Sequence, residues 1–97
     1  MLKSFSAAEM ALRVYAVASD TAAVQLQNPS TNKTRCYDGV FVTALAANSA
    51  PVYLGGSGVT TANGLELKAG ETKFFEVDPA DIWVVSAAAQ GVRVFIT

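Results

Sequence analysis

Ninety-seven residues carry a net charge of −1, no histidine and one cysteine. One domain fits that length. The missing histidine removes the commonest general base and metal ligand. A single cysteine forbids an internal disulfide, and seven scattered basic residues exclude the clustered charge that phosphate neutralisation needs. Hydrophobic residues reach 52% and charged residues only 15%, against a usual charged share of about 25%. Seventeen alanines account for part of the apolar excess. The remainder suits a subunit that buries surface against other chains.

Residues 1–9 read as an N-terminal arm, mixing Ser, Ala, Lys and Glu without a strong period. Ser6 and Glu9 stand at capping-box spacing. The start has no apolar h-region, so no export leader is expected, and no run reaches membrane-spanning length. The domain is expected over residues 10–97.

A first strand is expected over Ala11–Ala18. Leu12, Val14, Ala16 and Ala18 lie on one face, and Arg13, Tyr15 and Val17 on the other. With apolar residues on both faces it reads as covered on both sides. Ser19-Asp20-Thr21 is turn chemistry. A second strand, Ala22–Gln27, alternates Val24 and Leu26 with Gln25 and Gln27, and Pro29 ends it. Thr34–Ala46 forms a third, with Val40, Val42 and Ala44 opposite Phe41 and Thr43. Gly39 marks a bulge or corner in it.

Beyond Asn48-Ser49-Ala50-Pro51 come a short strand, Val52–Leu54, and the loop Gly55-Gly56-Ser57-Gly58. Val59–Thr61 reads as extended, Ala62-Asn63-Gly64 as a tight turn, and Leu65 and Leu67 as a further short strand. Lys68-Ala69-Gly70-Glu71 turns the chain into a strand at Thr72–Val77. Asp78-Pro79-Ala80-Asp81 fits a type I turn with proline second. Ile82–Ala87 is expected to pair with Val92–Thr97 through the small-residue loop Ala88-Ala89-Gln90-Gly91. Val92, Val94 and Ile96 then share a face opposite Arg93, Phe95 and Thr97.

The expected fold is therefore all-β: a small antiparallel β-sandwich, jelly-roll-like, of seven or eight short strands with a short N-terminal arm. Trp83, Phe95 and one of Phe74 or Phe75 are expected to point away from the core. They form either contact surface or ground covered by a loop or the arm. Trp83, Phe95, Phe74 and Tyr53 are the interface candidates.

No catalytic constellation emerges. Glu66, Glu71, Glu76, Asp78 and Asp81 supply carboxylates, but most sit at turns, where acidic residues have local reasons to be. Cys36 reads as a small, half-buried apolar residue with no histidine to activate it. Gly55-Gly56-Ser57-Gly58 lacks the Gly-Lys-Ser/Thr ending of a phosphate loop and leads into Val59-Thr60-Thr61, so it reads as a flexible loop. Asn32-Lys33-Thr34 matches a glycosylation sequon, but without an export signal the match is incidental. The chain is expected to be no enzyme and to need no cofactor or metal.

The order Leu26-Gln27-Asn28-Pro29, Val52-Tyr53-Leu54-Gly55-Gly56, Val59-Thr60-Thr61, Asn63-Gly64-Leu65-Glu66-Leu67, Ala69-Gly70-Glu71, Ile82-Trp83-Val84-Val85 and Gly91-Val92-Arg93-Val94 covers about residues 24–97. It resembles small β-sandwich virion structural proteins of tailed bacteriophages. The resemblance implies a head decoration (cement) protein, or a neck or tail accessory subunit. Implied with it are location in the virion after synthesis in the host cytoplasm, and self-association with a trimer favoured. The major capsid protein or another virion subunit would be the partner, with no nucleic acid and no membrane. A carbohydrate-binding module, stacking sugars on Trp83, Tyr53 or Tyr37, is the alternative from a different class.

Overall fold

The computed structural model describes residues 13–26 and 38–97. The arm, the Asn28-Pro29 break, Lys33, Arg35, Cys36 and Tyr37 lie outside the described residues. Eight strands run in order: β1 (Val14–Ser19), β2 (Val24–Gln25), β3 (Val40–Ala44), β4 (Val52–Gly55), β5 (Leu65–Leu67), β6 (Thr72–Phe75), β7 (Trp83–Ser86) and β8 (Gln90–Ile96). A 3₁₀ turn, Pro79–Asp81, precedes β7.

The strands form two four-stranded sheets, β1-β8-β3-β6 and β2-β7-β4-β5. Every pairing is antiparallel. The pairs β1·β8, β2·β7, β3·β6 and β4·β5 each join strands equidistant from the β4–β5 loop. The chain is thus one long hairpin ribbon with that loop at its tip. Winding the ribbon places alternate pairs in opposite sheets, and the contacts β3·β8 and β4·β7 close each sheet. This is the eight-stranded jelly roll.

Period-2 alternation explains which side chains enter the core. Val40, Val42 and Ala44 from β3 and Val92, Val94 and Ile96 from β8 are fully buried. They meet Val52 and Leu54 from β4, Leu67 from β5 and Val84 from β7 across the interior, with Leu26 and Ile82 beside them. Tyr15, Val17 and Phe75 pack against this cluster. Each such Val or Leu contributes about 1.5–3 kcal/mol by leaving water.

One expected pairing is corrected. β7 does not pair with β8: β7 joins β2 and β4 in the second sheet, and β8 joins β1 and β3 in the first. Both strands carry a buried valine face, and these faces meet across the core rather than side by side. Ala87, Ala88 and Ala89 cross between the sheets, where small side chains fit a sharp connection. The Ser86 hydroxyl donates to the Ala88 carbonyl at 2.6 Å and lies 2.8 Å from the Ser19 hydroxyl, tying β1 to β7 where the sheets meet.

Several boundaries also move. β1 begins later than expected and includes Ser19, and Ala16 and Ala18 are exposed, so its outer face is not covered along its length. β2 shrinks to two residues, although Leu26 N–H donates to the Ile82 carbonyl and extends the pairing with the chain beside β7. β6 ends at Phe75, leaving Val77 41% exposed beyond it. Val59–Thr61 is a cross-bonded loop, not a strand. The Asp78 turn stands as expected: its carboxylate accepts from Ala80 N–H at 2.9 Å.

Gly39 sits just before β3 at φ +152, a conformation that favours glycine. A Cβ there would lie 2.2 Å from the Phe75 carbonyl oxygen and 2.7 Å from Phe74 Cζ. The missing side chain lets β6 close onto β3. Gly70, at φ +83, supplies the left-handed position of the Lys68–Glu71 turn. There Glu71 N–H donates to the Lys68 carbonyl and Lys68 N–H to the Glu71 carboxylate.

Candidate interaction surfaces

The core occupies the inner faces of both sheets, so contact residues must come from the two outer faces or the edges. Outer positions on the first sheet follow from parity. On β3 they are Phe41 and Thr43, on β6 Thr72 and Phe74, on β8 Arg93 and Phe95, and on β1 Val14 and Ala16.

Register aligns four of these into a row. Val14 lies opposite Phe95, Phe95 opposite Phe41, and Phe41 opposite Phe74. The Phe41 and Phe74 rings are 4.7 Å apart and inclined at 50°. Phe41 and Phe95 are 6.1 Å apart and nearly parallel at 16°. Both spacings fall in the favourable range for aromatic pairs. The row spans the whole sheet and ends at its edge, where Phe74 is 41% exposed. The next row is polar except at its Ala16 end: Ala16, Arg93, Thr43 and Thr72, with the two threonine hydroxyls 2.7 Å apart.

The outer face of the second sheet is built differently. Trp83 lies between Gln25 and Gly55, and Val85 lies opposite Tyr53, which in turn faces Glu66. The 56–64 loop folds back toward this face. Its Val59 is only 7% exposed, and its methyl group approaches Gly55 and Gly64 so closely that a Cβ on either glycine would lie 2.8 Å from it. Val85, despite pointing outward, is 4% exposed.

Hydrogen bonds fold the second half of this loop back on itself. Thr60 N–H donates to the Asn63 side-chain oxygen at 2.7 Å, Gly64 N–H to the Thr60 carbonyl at 3.0 Å, and Val59 N–H to the Gly56 carbonyl at 3.0 Å. A groove of about 210 Å³ remains beside it, lined mainly by Val59, Thr60, Thr61, Val85 and Thr21.

The four expected interface residues therefore do not form one surface. Phe74 and Phe95 share the first sheet's outer face. Trp83 and Tyr53 share the second's, where both are half-buried and the Tyr53 hydroxyl points at Glu66, 3.5 Å away. Phe75 packs inward, so Phe74 is the outward member of that pair. Phe41 joins Phe74 to Phe95 and was not among the candidates. Its signal was present, since it alternates with the buried valines of β3, but its neighbours in the row come from β6 and β8, and only register brings them together.

The carboxylates have local duties. Glu71 and Asp78 accept backbone hydrogen bonds in turns, and Glu66 stands beside Tyr53. Among the described residues, no three His, Cys, Asp or Glu side chains cluster as metal ligands. No described helix is long and apolar enough to cross a membrane.

Two polar residues do enter the core side of β1. Arg13 is 3% exposed and donates to the Ile96 carbonyl at 3.3 Å. The Tyr15 hydroxyl is buried without a hydrogen-bond partner among the described residues. Burial, aided by the Asp78 carboxylate, pushes its pKa up to about 12.

The chain matches no protein-family model, no curated protein and no solved structure. The case for function therefore rests on these surfaces and on the order of motifs in the sequence.

Proposed function

We propose that this chain is a non-enzymatic structural protein of a tailed-phage virion, binding and stabilising the capsid surface as a decoration protein. The observation that carries this reading is the row Val14–Phe95–Phe41–Phe74 across an outer sheet face. An aromatic row on an outer face, ending at an exposed phenylalanine, is the kind of surface that proteins use for contact. The low charge content favours burial against other subunits over life as a free monomer.

The jelly roll is also a fold of viral capsid domains, and this supports the reading as an analogy of fold. The same fold serves lectins. The carbohydrate reading loses ground because the 56–64 loop returns onto the face that carries Tyr53 and Trp83, bringing Gly64 against the Tyr53 side chain, where a stacked sugar would have to lie. Binding alone would suffice for the proposed role: each contact made only in the assembled shell lowers the assembled state's free energy.

Quantitative mass spectrometry of purified particles tests this. A decoration protein is present in numbers comparable with the shell subunits, and F41K together with F95K abolishes its recovery with the particles. A few copies per particle would replace this reading with a neck or tail accessory subunit. Absence from particles would end both.

A further inference from the structure

We propose that β6 pairs with β6 of a second copy of this chain, antiparallel about a twofold axis that passes beside Phe74. The inference does not depend on the virion reading and stands or falls separately from it.

Among the described residues, β6 is hydrogen-bonded to a neighbour only on its β3 side. Hydrogen-bonding directions alternate along such a strand. The Glu71 carbonyl accepts from Ala44 N–H, so it points toward β3. Lys73 and Phe75 follow the same parity, while Thr72 and Phe74 direct their backbone groups to the open edge, and Glu76, just past the strand, continues that parity. The side chains agree, because Thr43–Thr72 and Phe41–Phe74 lie as close as non-hydrogen-bonded pairs do. Phe74, on the strand, and Val77, just past it, are each 41% exposed.

Symmetry restricts the register. A twofold axis between antiparallel strands stands perpendicular to the sheet and keeps each strand's faces in place, so a residue must sit opposite itself. Four centres are available near the strand. Centring on Thr72 would recruit Gly70, but its N–H is already donated to the Ala44 carbonyl and its φ of +83 takes the chain out of the strand. Centring on Lys73 sets ammonium against ammonium in a non-hydrogen-bonded pair, where side chains lie closest. Centring on Phe75 pairs Phe74 with Glu76 but sets Thr72 against Asp78, whose carbonyl already accepts from Asp81 N–H.

Centring on Phe74 aligns the most outward-directed backbone groups without opposing like charges. Phe74 exchanges two N–H···O=C bonds with Phe74 of the second copy, and Thr72 pairs with Glu76 on either side. Lys73 then lies opposite Phe75 and not opposite its own copy. The two aromatic rows meet end to end, giving one eight-stranded sheet crossed by a continuous row. The trimer that the sequence resemblance favours is replaced by a twofold dimer, since antiparallel edge pairing closes at two copies.

Light scattering across a concentration series tests this on the full chain. The expected mass at high concentration is twice the 10.1 kDa chain. F74K, which opposes two lysines on the axis, is expected to raise the dissociation midpoint by at least about tenfold, the effect of roughly 1.4 kcal/mol. F74L leaves the dimer in place, and circular dichroism confirms that both variants fold.

Independently, F74C on a C36S background places two sulfurs on the axis. Opposed Cα atoms about 5.5 Å apart lie within disulfide reach, so oxidation yields a covalent dimer, whereas S57C on the same background does not. A monomer at all concentrations, a threefold mass, or no cross-link with F74C would overturn the proposal.

Discussion

The two outer faces of this sandwich solve one problem in opposite ways. Both carry aromatic residues at outward positions. On the second sheet the protein covers its own surface: the 56–64 loop returns, seats Val59 against Gly55 and Gly64, and leaves Val85 nearly inaccessible. On the first sheet the aromatics are aligned in a row by strand register and brought to the edge at Phe74. A face closed by the chain itself is suited to stability. A face whose apolar row runs out to an exposed edge is suited to contact. The difference comes from glycines on one side, which admit the loop, and from phenylalanines on three neighbouring strands on the other.

That contrast can be broken at its hinge. G39A should have the largest effect, costing about 3 kcal/mol or more, because a Cβ would meet the Phe75 carbonyl and the left-handed backbone would be strained. Urea denaturation reads the loss, and the weakened β3–β6 contact should also disturb the Phe74 end of the row.

The loop-covered face is tested next. V59A removes the buried anchor of the 56–64 loop and should cost about 2 kcal/mol, with faster amide exchange in that loop and no change in self-association. F74A should do the reverse, costing less than about 1 kcal/mol in stability while weakening self-association. If V59A altered association and F74A altered only stability, the assignment of the two faces would be inverted.

Y15F probes the core side of the first sheet and should have the smallest effect. Removing a buried hydroxyl without a described partner is expected to stabilise by about 0.5–1 kcal/mol. Its pH signature is distinct. Below pH 10 the tyrosine is neutral in both folded and unfolded chains, so the contribution is constant. Between pH 10 and about 12 the unfolded chain ionises first, so wild-type stability should fall as pH rises through that window. Y15F should lose that component of the fall.

Much of the fold was legible in the sequence. Val40-Phe-Val-Thr-Ala44 and Val92-Arg-Val-Phe-Ile96 alternate cleanly because one face is buried and the other is not. The Asp78-Pro79 and Ala69-Gly70 turns follow from local chemistry. Pairing was less legible. The sequence suggested that β7 and β8 form a hairpin because they are adjacent, but adjacency along the chain cannot distinguish strands beside each other from strands facing each other across a core. The interface candidates were scattered for the same reason. Trp83 and Phe95 look alike in sequence, yet they belong to opposite sheets. The loop's folded-back form was not legible because it comes from Thr60 and Asn63 bonding across the turn, and from Val59 finding space over Gly55 and Gly64.

Residue-resolved hydrogen exchange as a function of protein concentration tests the central distinction most directly. If the edge of the first sheet is the contact surface, the amides of Thr72, Phe74 and Glu76 gain protection as concentration rises. Lys73 and Phe75, already directed at β3, change little, and residues 56–64 do not respond. Protection gained in the 56–64 loop, with β6 unaffected, would contradict the account and move the contact surface to the other face.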